Sequence, residues 1–341
     1  MKVGFVYDPI YLKHDTGHHP ENAQRLEAII SHLEQTGLTQ QLTSIQPRLA
    51  TLEELSLVHH EPYISHIREI AKKGGGWLDV DTVMSADSYD AALYAAGGVI
   101  KATEAVSNGE VNSAFALVRP PGHHATPQRA MGFCLFNNLA IAAKYALTRY
   151  ERILIVDFDV HHGNGSQEVF YHEPQVMYIS THQYPHYPGT GSIEETGNGT
   201  ARGTTVNIPL PGGSGDADYQ QVFAKIIVPA AQRFEPQFIL VSAGYDAHWT
   251  DELAMMQAST TGFAQMVKMI KGLADELCNG RLVLSLEGGY NLTALATSVK
   301  ATFDVLLGKP NIEDPLGQAP YPWDTPGIAS LIKAVKEIHN L

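Results

Sequence analysis

The sequence has few cysteines, no long apolar run and no cluster of basic residues. Cys134 and Cys278 are the two cysteines among 341 residues, which excludes a disulfide scaffold and a structural zinc site built on cysteine ligands. No stretch reaches the roughly 18 apolar residues of a membrane span, and the N-terminal "MKVGFVYDPI" lacks the apolar core of a signal peptide. A cytoplasmic protein without membrane contact is therefore expected.

Positive charge is also scarce. Lys and Arg together number 23 against 36 Asp and Glu, and the formal net charge is −13. Because direct binding to nucleic acid needs a basic surface, no nucleic-acid partner is expected.

Apolar and β-branched runs recur along the chain, and most are separated by segments with helical spacing. The predicted strands are "KVGFVY", "SAFALV", "RILIVDF", "VMYIST", "TTVNIPL", "FILVSA" and "LVLSLE". One predicted helix carries Leu26, Ile29, Ile30 and Leu33 on one face and stops at Gly37. This alternation predicts an α/β fold, with a mostly parallel sheet and helices on both of its faces.

We expect a single domain over residues 1–341. Within it, residues 309–341 are expected to form an irregular connector and a C-terminal helix packed on the rest. The segment 183–203 is rich in Gly, Pro and Thr and predicts a long loop, which inside a compact domain is usually functional or mobile. The sequence leaves open whether this loop is a rim, a lid or an interface.

Four predicted strands end in loops that carry reactive side chains. "SAFALV" leads into "RPPGHHA", "RILIV" into "DFDVHHGNG", "FILVSA" into "GYDAH" and "LVLSLE" into "GGYN". Ligands of open parallel sheets bind beyond the carboxyl ends of the strands. The four loops together therefore predict one functional site.

The second of these loops predicts a metal site. In an extended backbone Asp157, Asp159 and His161 would share one face, and two buried carboxylates would repel each other unless a cation lay between them. Asp159 and His161 supply two ligands, and Asp246 after another strand is the natural third. A solvated, helix-capping turn is the alternative, which the apolar run upstream disfavours. The ligand set suits Zn²⁺ and leaves Fe²⁺ or Mn²⁺ open.

The other loops supply groups for proton transfer. His123 and His124 lie in a loop shaped by Gly and Pro, and imidazoles have pKa values near working pH. Tyr290 follows two glycines, and its hydroxyl can stabilise a developing oxyanion. For each residue alone, a surface histidine or a packed aromatic is the simpler interpretation.

Five further histidines are expected to have supporting places. His59 and His60 are interpreted as structural or exposed, because they follow no clear buried strand. His18 and His19 are candidates for the rim of the site. His162, on the face opposite to its neighbour in the chain, is expected to support the site without binding the metal.

The four motifs in this order resemble the zinc-dependent histone deacetylase family, which has the arginase–deacetylase fold. The resemblance spans roughly Met1 to Leu307 and includes "HPENAQRLEAI" and "GFCLFNN". "RPPGHHA" and Asn164, at a position where one branch has Asp, are similar to the class II branch. The lack of additional regulatory tails resembles bacterial members.

The resemblance implies a role for each matching position. It assigns zinc to Asp159, His161 and Asp246, proton transfer to His123 and His124, polarisation of the carbonyl to Tyr290, and the place behind His124 to Asn164. It implies one or two structural monovalent cations, usually K⁺, and places one at Asp157, Asp159, His161 and Ser180, with Asp157 also holding His123. It implies a narrow tunnel for an acylated lysine-like chain, lined by Gly132, Phe133, Tyr187 and Leu253.

The implied reaction is metal-dependent hydrolysis of an N-acetyl amide. His124 would act as general base, and His123 would give electrostatic support. Acetyl-lysine in proteins or peptides is the leading substrate, because Leu253, with Glu252 beside it, stands where polyamine-type members have an acidic residue. Acetylpolyamines and other small acylated amines stay open, as do the native metal and the oligomeric state.

Two other functions compete with this one. A binuclear-manganese ureohydrolase shares the fold but needs bridging carboxylates at positions where this chain has Gly163 and His248, so a single metal is favoured. A non-catalytic module that binds acyl-lysine is disfavoured because every expected catalytic position is filled.

Overall fold

Ten β-strands form within residues 1–323 and 325–341, the part of the chain that the computed structural model describes. They are β1 (Val3–Val6), β2 (Thr43–Ile45), β3 (Gly75–Trp77), β4 (Val83–Ser85), β5 (Ser113–Ala116), β6 (Ile153–Asp157), β7 (Val176–Gln183), β8 (Thr205–Leu210), β9 (Phe238–Ala243) and β10 (Leu282–Leu286). Eight of them form one sheet in the order β2-β1-β5-β10-β9-β6-β7-β8, in which neighbouring strands are parallel. The strands β3 and β4 form a separate antiparallel pair.

Helices connect most of the strands. They are α1 (Gln24–Gln35), α2 (Leu52–Leu55), α3 (Glu61–Lys72), α4 (Ser88–Ser107), α5 (Asn138–Ala146), α6 (Asn164–Phe170), α7 (Asp216–Val222), α8 (Val228–Phe234), α9 (Thr260–Leu277), α10 (Leu292–Leu306) and α11 (Ile328–His339). No helix within the described ranges is both long and apolar enough to cross a membrane.

The inner strands are apolar along their whole length because helices cover both faces of the sheet. Every residue of β6, β9 and β10 is buried. The helices α1, α10 and α9 pack side by side, and α4 packs against α5. Parallel sheets are stable when covered in this way. The predicted α/β fold is confirmed.

The helix predicted up to Gly37 is confirmed as α1. Leu26, Ile29 and Leu33 are fully buried, and Ile30 is half-buried at the border of the same face. The chain leaves the helix at Gly37, whose φ of 65° is the left-handed conformation that favours glycine at helix ends.

A π-helical turn, Phe223–Ile227, interrupts the helical segment between α7 and α8. Pro229 at the start of α8 has no N–H to donate and its ring would crowd the carbonyl of Lys225, so a wider turn is required before it. The helical spacing of the sequence predicts a helix here but does not predict that a π-helical turn divides it into α7 and α8.

The C-terminal helix α11 packs on β8 through Ile328, Ile332 and Val335, which are buried. Residues 309–323 and 325–327 of the predicted connector contain no helix or strand, and Asp324 lies outside the described residues.

The four strands that lead into the reactive loops lie next to one another. The central part of the sheet has the order β5-β10-β9-β6. Because these strands are parallel, their carboxyl ends and the loops that follow meet at one edge, where open α/β sheets bind ligands.

Candidate active site

The strand β6 ends at Asp157, so the prediction of an extended backbone through Asp159 and His161 was wrong. Asp157 Oδ1 accepts the N–H of Asp159 at 3.2 Å, and Asp159 Oδ1 accepts the N–H of His161 at 2.9 Å. A carboxylate that bonds the backbone two residues on stabilises a turn in place of a strand. The turn still brings Asp159 and His161 together.

Asp159, His161 and Asp246 form a buried cluster. Each offers one possible metal-binding atom, and the three atoms lie within 4.8 Å of one another. Nδ1 of His161 is 3.2 Å from Asp159 Oδ1 and 3.1 Å from Asp246 Oδ2. Three ligands without a thiolate are typical of a catalytic site for zinc or a related divalent metal.

The charges of this cluster also fit a cation. Burial and the neighbouring carboxylate of Asp159 raise the pKa of Asp246 to about 6. Burial alone would lower the pKa of His161, but its hydrogen bonds to Asp159 and Asp246 outweigh burial and raise it to about 10. Without a metal, a proton on His161 balances the two carboxylates. A divalent ion would displace that proton and neutralise both, so the residues present fit a metal.

Glycine backbone closes one side of the cluster. The N–H of Gly288 donates to Asp159 Oδ2 at 2.8 Å, and a Cβ on Gly288 would overlap Asp246 Oδ2. A larger residue at Gly288 would therefore push a carboxylate out of place.

His123 is held by a buried carboxylate. Its Nδ1 lies 3.1 Å from Asp157 Oδ2, which also accepts the hydroxyl of Tyr178 at 3.0 Å. Burial works against a charged imidazole, but the carboxylates of Asp159 and Asp157 raise the pKa of His123 to about 10. These carboxylates thus favour the protonated form of His123.

His124 has the opposite character. Its Nδ1 lies 2.8 Å from Asn164 Oδ1 and its ring centroid is 4.0 Å from that of His123. Burial and the cations His123 and His161 hold the pKa of His124 well below its usual range. His124 is therefore neutral and able to accept a proton.

Aromatic rings surround the approach to these groups. The ring of Phe133 is perpendicular to those of Tyr290 and His19, with centroids 5.8 and 4.5 Å away. Tyr187 packs edge-on against His124 at 5.1 Å. Gly132 lies against the His124 ring, because a Cβ on it would overlap that ring. Four predicted tunnel and rim residues are thus brought together with the histidines.

The loop after β7 borders this site. It carries Tyr187 and also His186, whose ring centroid is 5.1 Å from that of His161. This part of the loop lies against the histidines of the site, and the three roles considered for residues 183–203 stay open. Leu253 is half-buried on the turn after Asp246, and its place in the tunnel stays a prediction.

Of four other histidines considered from the sequence, His59 and His162 are buried. His59 is buried, with Nδ1 3.0 Å from the carbonyl of Thr126 and Nε2 accepting the N–H of Asn137, whereas His60 and His18 are exposed. The two ring nitrogens of His162 lie within hydrogen-bond distance of Thr190 and Gln167.

Ser180 lies beside Asp157. The two residues are paired in register on β7 and β6, and Ser180 Oγ is 2.9 Å from His182 Nδ1. The predicted monovalent cation at this position stays a prediction.

The sequence interpretation missed Glu287 at the end of β10. Its Oε2 accepts the N–H groups of Gly122 and His123 at 2.7 and 3.1 Å, and so fixes the loop that carries both histidines. Burial raises the pKa of Glu287 to about 7. The signal was present, since an acidic residue ends the apolar run "LVLSLE", as Asp157 ends "RILIV".

A buried ion network was also missed. Glu21 forms ion pairs with Arg25 and Arg119, and Arg25 donates to the carbonyls of Glu287 at 2.5 Å and Gly289 at 2.7 Å. The signal was an opposite-charge pair four residues apart at the start of a helix whose other face is apolar.

Residues 19–306 match the model of the histone deacetylase domain. A probable deacetylase from Archaeoglobus fulgidus is 45% identical over 296 residues, which cover 86% of this chain and 82% of that protein. Histone deacetylase 14, chloroplastic, from Arabidopsis thaliana is 42% identical over 351 residues, covering 97% of this chain and 83% of that protein. The name of the plant relative places that protein in the chloroplast, and a cytoplasmic location for this chain stays a prediction.

A solved structure agrees with the sequence comparisons. The crystal structure of the HDA15 HD domain is similar with a TM-score of 0.90 and 35% identity, over 99% of this chain and 94% of that chain. The resemblance inferred from the four motifs is thereby confirmed, and the chain is a member of the histone deacetylase family.

Proposed function

We propose that this protein hydrolyses the acetyl amide of acetyl-lysine in proteins or peptides, with one zinc ion at its active site. The observation that carries the proposal is the buried cluster of Asp159, His161 and Asp246 beside a neutral histidine, His124. A Lewis acid that polarises the carbonyl and a general base that activates water are together sufficient to hydrolyse an unactivated amide.

Asp159, His161 and Asp246 would hold the metal. A zinc ion bound there supplies Lewis acidity, which lowers the pKa of a water molecule and polarises an amide carbonyl. The position of these ligands is fixed by hydrogen bonds from Gly288 N–H to Asp159 and from Val160 N–H to Asp246, at 2.8 and 3.0 Å.

The two histidines divide the proton chemistry between them. Neutral His124 accepts a proton from the attacking water at Nε2, because its Nδ1 is occupied by Asn164, and later donates it to the leaving lysine amine. His123, whose Nδ1 is hydrogen-bonded to the carboxylate of Asp157, gives electrostatic support to the site. The hydroxyl of Tyr290 donates a hydrogen bond to the carbonyl oxygen as that oxygen gains negative charge.

The aromatic walls favour a long, unbranched chain. Phe133 packs edge-on against Tyr290 and Tyr187 edge-on against His124, so aromatic carbon lies next to both proposed functional groups, as a site for an aliphatic chain requires. Leu253 at the proposed rim provides no negative charge for the second amine of a polyamine. A lysine side chain on a peptide therefore fits better than an acetylpolyamine.

We further propose a structural K⁺ ion at Asp157, Asp159, His161 and Ser180. The proposal is supported by the register of β6 and β7, which sets the carboxylate of Asp157 and the hydroxyl of Ser180 on adjacent strands. Oxygen donors of this kind suit hard cations.

The proposed reaction is tested by kcat/KM values on a panel of substrates together with the metal content. We expect one zinc per chain, turnover of acetyl-lysine peptides, and lower kcat/KM values for longer acyl-lysines and N-acetylpolyamines. Activity should be lost on chelation and restored by zinc.

Other outcomes of the panel would contradict the proposal. Higher kcat/KM for N-acetylpolyamines would assign the protein to small amines. Bound zinc without turnover of any acyl amide would favour a module that only binds acyl-lysine.

A further inference from the structure

A buried carboxylate outside the four motifs holds the backbone of the proposed catalytic tyrosine. Oδ2 of Asp251 accepts the N–H of Tyr290 at 2.7 Å and that of Asn291 at 3.1 Å, and its Oδ1 accepts the N–H of Leu253 at 3.1 Å. Asp251 is 6% exposed. One carboxylate therefore joins the turn after β9 to the loop after β10.

The loop of Tyr290 needs such a restraint because two glycines precede it. Gly288 must be glycine, since a Cβ would overlap Asp246, and Gly289 has a φ of 115°. Glycine backbone has many accessible conformations, so these residues alone do not fix the direction of the next side chain. The carboxylate of Asp251 fixes the N–H of Tyr290 directly after this flexible pair.

A second side chain, that of Asn291, also joins the loop after β10 to the turn after β9. Nδ2 of Asn291 donates to the carbonyl of Thr250 at 3.2 Å, while its Oδ1 accepts the N–H of Ala294 and caps α10. The start of α10 is therefore joined to the turn at Thr250 and Asp251 by bonds in both directions. Movement of that turn would move Tyr290.

The ring of Tyr290 is oriented by other contacts. The guanidinium of Arg25 lies 5.0 Å from its centroid, and Phe133 packs edge-on against it at 5.8 Å. These contacts restrict rotation of the ring but leave the position of its Cα to the backbone. Arg25 also donates to the carbonyls of Glu287 and Gly289, and the bonds to Asp251 are the ones that hold the N–H groups of Tyr290 and Asn291 themselves.

We propose that Asp251 is a positioning residue that places the Tyr290 hydroxyl for the reaction. This inference rests on the proposed function, because it requires that hydroxyl to act in amide hydrolysis. A hydrogen bond formed only as charge develops affects kcat more than KM. Loss of Asp251 should therefore lower kcat and leave substrate binding and metal content nearly unchanged.

The experiment is a double-mutant cycle of Asp251→Asn and Tyr290→Phe, assayed on an acetyl-lysine peptide with the zinc-loaded protein. Tyr290→Phe alone should lower kcat by about 10²–10³-fold, the usual effect of losing one oxyanion donor. Asp251→Asn alone should lower kcat by about 10- to 100-fold, because a displacement of about 1 Å has effects of this size. In the Tyr290→Phe background, Asp251→Asn should change kcat by less than about two-fold, since no hydroxyl remains to be positioned.

Asp314→Asn is the matched control. Asp314 also bonds several backbone groups with one carboxylate, accepting the N–H groups of Thr261, Leu316 and Gly317 at 3.0, 3.2 and 2.8 Å. These partners belong to none of the four motifs, so Asp314→Asn should leave kcat unchanged. Asp251→Glu, which keeps the charge but moves it by a methylene group, supplies a second variant for the cycle, with melting temperature and zinc content measured for each protein.

The outcomes separate the inference from the proposed function. An equal loss of kcat from Asp251→Asn in both backgrounds would overturn the role of Asp251 and leave that of Tyr290 intact. Full activity of Tyr290→Phe would overturn the assigned role of Tyr290 and, with it, that of Asp251.

Discussion

At the scale of single residues, the two adjacent histidines differ because their partners differ. His123 is paired with the carboxylate of Asp157, whereas His124 is paired with the neutral amide of Asn164. An opposite charge raises the pKa of an imidazole and a neutral partner does so much less. One substitution is therefore enough to test the assignment of the base.

Replacing Asn164 with Asp should move the pH dependence of kcat/KM. A carboxylate beside Nδ1 stabilises the imidazolium, so the pKa of His124 should rise. Because the base must be neutral, the acidic limb of the profile should shift to higher pH. The measurement is kcat/KM on an acetyl-lysine peptide between pH 5 and 9, at full zinc occupancy.

Asn164→Ala is the control for that prediction. It removes the hydrogen bond to His124 without adding charge, so activity should fall without the upward shift of the limb. An unchanged limb in Asn164→Asp would show that His124 is not the titrating base.

Residues of the site could be predicted from sequence where a charge follows a buried run. Asp159, His161 and Asp246 stand at such places. Asp251 does not follow such a run. Its proposed role depends on hydrogen bonds from backbone N–H groups in a loop 39 residues further along the chain. Glu21 likewise acts on Arg119, 98 residues away. No local pattern reveals partners that only the folded chain brings together.

At the scale of secondary-structure elements, the loops after the central strands have no spare volume near the metal ligands. Gly288 after β10 is in contact with Asp246, whereas Gly272 on the exposed side of α9 has open space around it. Replacement by alanine should therefore be harmful at Gly288 and favourable at Gly272.

Gly288→Ala should weaken metal binding, because the added Cβ displaces the carboxylate of Asp246. A loss of about 10- to 100-fold in zinc affinity is expected for disturbing the support of a ligand. The measurement is competition with a chromophoric chelator. Gly272→Ala should leave zinc affinity unchanged and stabilise the protein by about 0.5–1 kcal/mol, since alanine favours helix. Wild-type zinc affinity in Gly288→Ala would contradict the packing described for this loop.

Strands could be predicted where their burial produces a run of apolar residues in the sequence. The strand Phe238–Ala243 is buried on both faces and is apolar except for Ser242. The strand Thr43–Ile45 was missed because it lies at the sheet edge, has three residues and buries only Ile45. Short edge strands carry too little apolar signal to be separated from loop.

At the scale of the whole molecule, buried neutral histidines make the fold sensitive to acid. His59 is 1% exposed, and burial lowers its pKa from 6.5 to about 3. In the unfolded chain this imidazole takes up a proton below pH 6.5, whereas in the folded chain it does so only near pH 3. Neutral His59 therefore costs no unfolding free energy above pH 6.5. As the pH falls from 6.5 towards 3, protonation of the unfolded chain lowers the free energy of unfolding.

The expected loss is about 2 kcal/mol of unfolding free energy between pH 7.5 and 5 for His59 alone. His59→Gln, whose amide can donate to Thr126 and accept from Asn137, should remove that part of the pH dependence. Urea unfolding of both proteins at the two pH values measures it. An identical pH dependence in His59→Gln would show that His59 titrates alike in the folded and unfolded chain.

The order of strands in the sheet has a consequence for assembly during synthesis. β10 is the last strand in the chain, yet it lies between β5 and β9. Until residues 282–286 have left the ribosome, β2-β1-β5 and β9-β6-β7-β8 are two half-sheets without a shared edge. The proposed zinc ligands follow β6 and β9 in one half, and His123 and His124 follow β5 in the other. The two sets of side chains can therefore form one site only when β10 joins the two half-sheets.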